Sequence, residues 1–130
     1  MANLFDFEPA TVDGVEIINV TPHTITFGVG EGTVEVPSHV IINAAAVEQH
    51  VKKEGGVEFV NTTFLANDKN RDIVIGLTKQ FPNAVIVGSI IAAQAFPGKV
   101  VAMTPCPGFE RVPPAEKRMN PHKFTTFAKH

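Results

Sequence analysis

Tyrosine and tryptophan are absent from this chain, while phenylalanine occurs ten times. Phenylalanine supplies packing area and a flat face but no hydrogen-bonding tip, so aromatic recognition of a base or sugar falls to Phe or His. Cysteine is nearly absent too. Cys106 stands alone, which excludes an internal disulfide and frees the fold from oxidising conditions. Basic residues are missing from the whole front of the chain. Lys52 is the first Lys or Arg, after seven acids: Asp6, Glu8, Asp13, Glu16, Glu31, Glu35 and Glu48. Two of those acids stand where a secretory signal needs a basic start. Long apolar runs are missing as well: residues 84–96 contain Gly88, Ser89 and Gln94 and are too short to span a bilayer. The expectation is a cytoplasmic protein with no membrane partner.

What is present fits one globular domain over residues 1–130, with 44% hydrophobic and 18% charged residues. A net charge of -2 gives no bulk attraction to polymeric nucleic acid. Charge is nonetheless uneven: Lys99, Arg111, Lys117, Arg118, Lys123 and Lys129 face only Glu110 and Glu116 after residue 98. Complementary ends could pack within or between subunits, or the basic end could meet an anionic ligand.

Residues 1–14 read as an N-terminal arm. Residues 15–20 read as a strand stopped by Thr21-Pro22, and 24–29 with 33–36 as a hairpin. Asn43 is placed to cap a helix over 44–53, supported by three alanines and a Glu48–Lys52 pair and ended by Gly55-Gly56. Residues 57–65 read as a strand, 66–72 as a polar turn and 73–77 as a short strand. Ala84-Val85-Ile86-Val87 is a buried-strand run leading through Gly88-Ser89 into a helix over 90–96, with a further strand over 99–103. Residues 104–130 carry Pro105, Pro107, Pro113, Pro114 and Pro121. The expected fold is α+β: a small, mainly antiparallel sheet with one or two short helices and an extended proline-rich C-terminal segment.

Three places could carry chemistry. Ser89 heads a helix, whose first turn presents N–H groups to an anion, and Gly88 would allow close backbone approach; an ordinary capped turn explains the same residues. Asn19, Thr21 and His23 crowd three polar side chains around Pro22, either to line a pocket or to satisfy local backbone. Arg111, Lys117, Arg118 and Lys123 lie among Phe109, His122 and Phe124, a set suited to phosphates and base stacking or to a solvated tail. Catalytic patterns are poorer. Thr26 and Thr125 fall three residues after His23 and His122, which does not make the paired motif of two-histidine phosphoesterases. His39 and His50 lack an acidic partner at a metal-binding offset. Cys106 sits between prolines with no sign of an activating base. No cofactor and no catalytic residue is expected.

Ile17-Ile18-Asn19-Val20-Thr21-Pro22-His23-Thr24-Ile25 resembles the opening of a group of small phage proteins that begin with an Asn-Leu-Thr-Pro-His-x-Ile motif. Ile86-Val87-Gly88-Ser89-Ile90-Ile91-Ala92 continues the likeness, where those proteins carry Ile-Val-Ser before a small-residue helix. The two blocks cover about a fifth of the chain, with Val20 in place of Leu, Gly88 before the serine and a tail of its own. The resemblance points to viral sponge proteins that oppose CBASS defence. It implies a protein of the host cytoplasm that binds a cyclic oligonucleotide without cleaving it. A homo-oligomer is expected because a small chain encloses a dinucleotide better between subunits and its acidic and basic ends need partners. Ser89, Arg111, Lys117 and Arg118 would then hold phosphates, Thr21 and His23 would line the pocket, and Phe109 or Phe124 would stack on a base. A phage structural or accessory protein with subunit-binding arms, or a phosphoesterase, remains the alternative.

Overall fold

Short β-branched and aromatic runs between turn formers make strands, rather than helices, the main regular structure of this chain. The computed structural model describes residues 5–127, so the first four residues of the expected arm, and Lys129, lie outside the described residues. In chain order the elements are β1 (Ala10–Val12), β2 (Val15–Asn19), β3 (Ile25–Val29), β4 (Gly32–Val36), β5 (Ala45–Glu54), β6 (Val57–Leu65), α1 (Asp68–Gln80), β7 (Val85–Gly88), α2 (Ile90–Ala95), β8 (Val100–Pro105), a 3-10 turn (Pro114–Glu116) and β9 (Met119–Thr125).

Seven strands form one sheet in the order β1-β2-β7-β8-β9-β3-β4, and β5 pairs only with β6. The sheet curls until nearly closed. Val12 on one edge strand and Val36 on the other share a core with Ile17, Ile25, Phe27 and Val87. Neighbouring residues point the other way, as a period of two requires. Ile18, Val20, Ile86, Val100 and Ala102 form a second core with Val74 and Leu77 of α1 and with Ala92 and Ala93 of α2.

The sheet is mixed, not mainly antiparallel. β2–β7, β7–β8 and β3–β9 are parallel pairs. The α2 crossover carries the chain back to the start of β8, so β8 must run alongside β7 in the same direction. Gly88 serves this crossover rather than a ligand. A Cβ there would sit 2.7 Å from Val100 Cγ1, 3.2 Å from Val20 Cγ2 and 3.3 Å from the Ala92 methyl.

The expected helix over 44–53 is strand β5. Gly55 and Gly56 both have positive φ, 55° and 79°, the geometry of a two-residue hairpin turn. They join β5 to a β-prone partner two residues away, whereas a lone ten-residue helix nucleates poorly. The expected turn and strand over 66–77 are helix α1. Asn67 caps it, its side chain accepting from the Asn70 N–H at 2.8 Å, and Val74 and Leu77 are one inward face rather than a strand.

The C-terminal segment is not a separate extended tail. Its ends belong to β8 and β9, and β9 lies inside the sheet between β8 and β3. Pro121 is accommodated because the β8–β9 ladder breaks there. Met119 pairs with Pro105, and pairing resumes at Phe124 with Met103, so no hydrogen bond is asked of the proline. Among the described residues no helix is long and apolar enough to cross a membrane.

Candidate functional site

Five strand ends meet at one rim of the curled sheet. β2, β7 and β8 run in parallel and finish there, β9 is antiparallel to β8, and β3 follows β9. Ligands of sheets with parallel strands characteristically sit at the carboxyl ends of those strands. Here residues 20–24 strap the rim, passing from the end of β2 to the start of β3.

Asn19 holds the strap from beneath. Its side chain is fully buried. Its amide donates to the carbonyls of His23 at 2.7 Å and Val36 at 2.9 Å. Its Oδ1 accepts from the Thr21 N–H at 2.9 Å and lies 2.7 Å from the Thr21 hydroxyl. That hydroxyl also lies 2.9 Å from the His23 carbonyl, and one proton serves only one of the two acceptors. Asn19 is thus a structural residue: its polar groups satisfy backbone that a Pro-kinked segment would otherwise leave unpaired.

His39 completes the support. Its Nδ1 accepts from the Asn19 N–H at 2.9 Å, its own N–H donates to the Asn19 carbonyl at 2.8 Å, and its ring packs against Phe7 at 5.1 Å. Burial pushes the imidazole below the ordinary histidine value, opposed in part by a hydrogen bond with the Glu8 backbone. Between the folded and unfolded values the unfolded chain binds the extra proton, so folding loses stability as pH falls there. The contribution is complete above about pH 6.5, the unfolded value, and disappears as pH drops through the lower folded one. Urea unfolding from pH 8 to pH 5 should show this fall, and His39→Asn, whose side-chain oxygen can accept the same N–H, should flatten it.

Above the strap support lies a cleft of about 390 Å³ lined by Thr21 to Thr26, Ser89, Met103, Pro114, Lys117 and Met119. Its walls are apolar where Pro22, Ile25, Met103, Pro114 and Met119 meet. Threonine and serine hydroxyls interrupt them. Lys117 is the one full cation in the lining, and no carboxylate lines this cleft. A second cleft of about 520 Å³ shares Thr26 and Lys117 with the first and adds Phe109, Arg118, Glu35 and Glu116. Arg118 lies over the Phe109 ring at 5.1 Å, a cation–π contact that fixes the guanidinium. Gly28 makes room for this arrangement: a Cβ there would come within 2.9 Å of Cys106 Sγ and 3.5 Å of Arg118 Cβ.

Of the residues singled out in the sequence, Thr21, His23, Ser89 and Lys117 therefore share the first cleft, and Lys117, Phe109 and Arg118 the second. Arg111 lines neither cleft and is exposed. Phe124 packs against the inner core beside Met119 and Met103. Ser89 spends its hydroxyl as an N-cap, accepting from the Ala92 N–H at 3.1 Å, on a helix of only six residues. Its field is correspondingly small. The acidic front and basic rear meet where Asp13 bonds His122 Nε2 at 2.8 Å and where Glu35 borders Lys117 and Arg118. Sequence reasoning missed Thr24, Ile25, Thr26, Met103, Pro114 and Met119. The nearest signal for the first three was their position directly after His23. Among the described residues no three His, Cys, Asp or Glu side chains gather as metal ligands. Comparison with protein-family models, curated proteins and solved structures gives no match.

Proposed function

We propose that this chain binds a cyclic oligonucleotide at the strapped rim and sequesters it uncleaved, acting as a phage sponge against host CBASS signalling in the host cytoplasm. The observation that carries the reading is the shared cleft. Three segments far apart in sequence (the Thr21-Pro22-His23 strap, Ser89 after β7, and Pro114 with Lys117) border one hollow. Two of the three belong to the blocks that resemble phage proteins.

The lining suits a nucleotide. Apolar walls accept the faces of a base, hydroxyls of Thr24 and Thr26 suit ribose or phosphate oxygens, as does the proton Ser89 keeps while its oxygen caps α2, and the Lys117 ammonium supplies charge for a phosphate. At about 390 Å³ the cleft lies near the lower end of small-molecule pockets, which run from about 300 to 1,000 Å³. A second nucleotide unit would extend past Thr26 and Lys117 into the neighbouring cleft, toward Arg118. Calorimetric titration against cyclic di- and trinucleotides in metal-free buffer tests the reading. Binding by at least one of them, with the ligand recovered intact after denaturation, is the expected outcome. Silence across the panel rejects nucleotide binding, and recovery of a hydrolysed product turns the reading toward a phosphoesterase.

A protruding hairpin favours a second reading, a phage accessory subunit. Its contact element would be β5–β6 instead of the chain ends, since β1 and β9 belong to the sheet. Detection of the protein in purified virions would support that role.

A further inference from the structure

We propose that the hollow between α1 and the end of α2 is a second binding site, and that it takes a small amphipathic anion, a short alkyl body ended by one carboxylate. Helix α1 builds one wall. Arg71, Val74, Ile75, Thr78 and Lys79 line the hollow, and positions i, i+3, i+4, i+7 and i+8 fall on one side of a helix. Phe96 and Lys99 form the other wall, and the space between is about 410 Å³. Small-molecule pockets run from about 300 to 1,000 Å³. No lining residue is shared with either cleft at the rim, so this site is independent of the nucleotide reading.

Both walls are fixed in place. Val74 and Phe96 are buried in the same core. The chain leaves α2 through Gly98, at a φ of 77°. There the Phe96 carbonyl accepts from the N–H groups of Lys99 at 3.1 Å and Val100 at 3.0 Å, a tight turn that holds Lys99 across from α1. Ile75, in contrast, leaves 44% of its surface bare. An aliphatic side chain open on the wall of a hollow gains by burial under an apolar ligand.

Charge selects the head of that ligand. Three cations, Arg71, Lys79 and Lys99, border the hollow and no carboxylate does, in a chain whose net charge is -2. Arg71 and Lys79 stand about 12 Å apart by helix rise, with the apolar wall between them and Lys99 opposite. Among the described residues Lys79 and Lys99 have no ion pair. Arg71 reaches only the fully exposed Asp68, at 3.7 Å. The neutral groups select the body. The Thr78 hydroxyl spends its proton on the Val74 carbonyl at 2.9 Å, so the lining offers no free uncharged side-chain donor. A sugar or base would leave polar edges unpaired here, whereas an alkyl chain asks for no partner. A bilayer surface, being flat, does not fill a hollow.

Amide shifts of the full chain, followed with octanoate kept below its micelle concentration, test this site. The expected result is saturable movement of Arg71, Ile75, Thr78, Lys79 and Lys99, with the strap from Thr21 to Thr26 unmoved. Acetate, the same head without the body, should bind at least about tenfold more weakly. Octylamine, the same body with the opposite charge, should leave these residues unmoved. Lys79→Ala with Lys99→Ala should raise the octanoate dissociation constant about tenfold, at up to about fivefold for each exposed ion pair lost. Ile75→Glu keeps a good helix former at an exposed position and should abolish binding. Octanoate that causes no saturable shift overturns the proposal. So does equal binding of octanoate and octylamine, or equal affinity in the wild type and the two-lysine variant, since either leaves an apolar hollow with no preference for anions. Binding to anionic phospholipid vesicles without binding of octanoate overturns it as well and gives the cations to a membrane surface.

Discussion

Asn19→Ala should destabilise the fold by about 2–5 kcal/mol, since each buried polar group left unpaired costs about 1–3 kcal/mol. The Thr21 hydroxyl, 2.9 Å from the His23 carbonyl, can turn to that acceptor and rescue it. The Val36 carbonyl and the Thr21 N–H, both in buried bonds to the Asn19 side chain, lose that partner. A loss of this size is a large part of the 5–15 kcal/mol that holds a typical domain together. Thr21→Val is the matched control. It leaves the Asn19 amide bonds to His23 and Val36 in place but removes the bond the hydroxyl donates and the one it accepts from the His23 N–H at 3.2 Å. Its cost should stay at about 1–2 kcal/mol, that of two ordinary hydrogen bonds. Urea denaturation of both variants measures the difference. Equal, small losses would show that the strap does not depend on Asn19.

Lys117→Ala should weaken nucleotide binding by about tenfold to a hundredfold, the equivalent of one charge-assisted hydrogen bond of about 1.5–3 kcal/mol. Lys117 borders both clefts, so a ligand spanning them meets it from either side. Its one polar contact, to the Glu110 carbonyl at 3.4 Å, is exposed, so the folded state should lose little. Lys117→Glu should abolish binding, because a carboxylate would then face the phosphate beside Glu116 and Glu35. Arg111→Ala should leave affinity unchanged, since Arg111 borders neither cleft. The same calorimetric titration reads all three. Equal affinities across the series would remove Lys117 from the site.

The strands that bind their neighbours through clear punctuation were legible in the sequence. Alternating Ile25, Phe27 and Val29, the apolar run at Val85–Gly88 and the Ser89 cap all read as they fold. Segments with two local solutions were not. Residues 44–53 carry alanines and a Glu–Lys pair that suit a helix, but the Gly-Gly turn and residues 57–65 decide for a ribbon. Residues 66–77 look polar and then apolar along the chain. Only wrapped at 3.6 residues per turn do Asn70, Val74 and Leu77 fall on one face. Parallel pairing was illegible for another reason. It joins β2 to β7 across some seventy residues, and nothing local encodes that neighbour.

The site divides the same way. Local polar density exposed Thr21, His23, Ser89 and Lys117. Ile25, Met103 and Met119 look like core from their neighbours in sequence, and only their place at the rim turns them into walls. Asn19 went with the pocket candidates because it is polar and close to His23, although its side chain points inward and never meets the cleft.

Backbone amide shifts followed through a nucleotide titration test the central claim most directly. The account predicts that a cyclic nucleotide which binds will move the resonances of Thr21, His23 to Thr26, Ser89, Met103, Lys117 and Met119 together, with the largest changes along the strap. Shifts confined to the β5–β6 hairpin or to α1, with these residues unmoved, would contradict it.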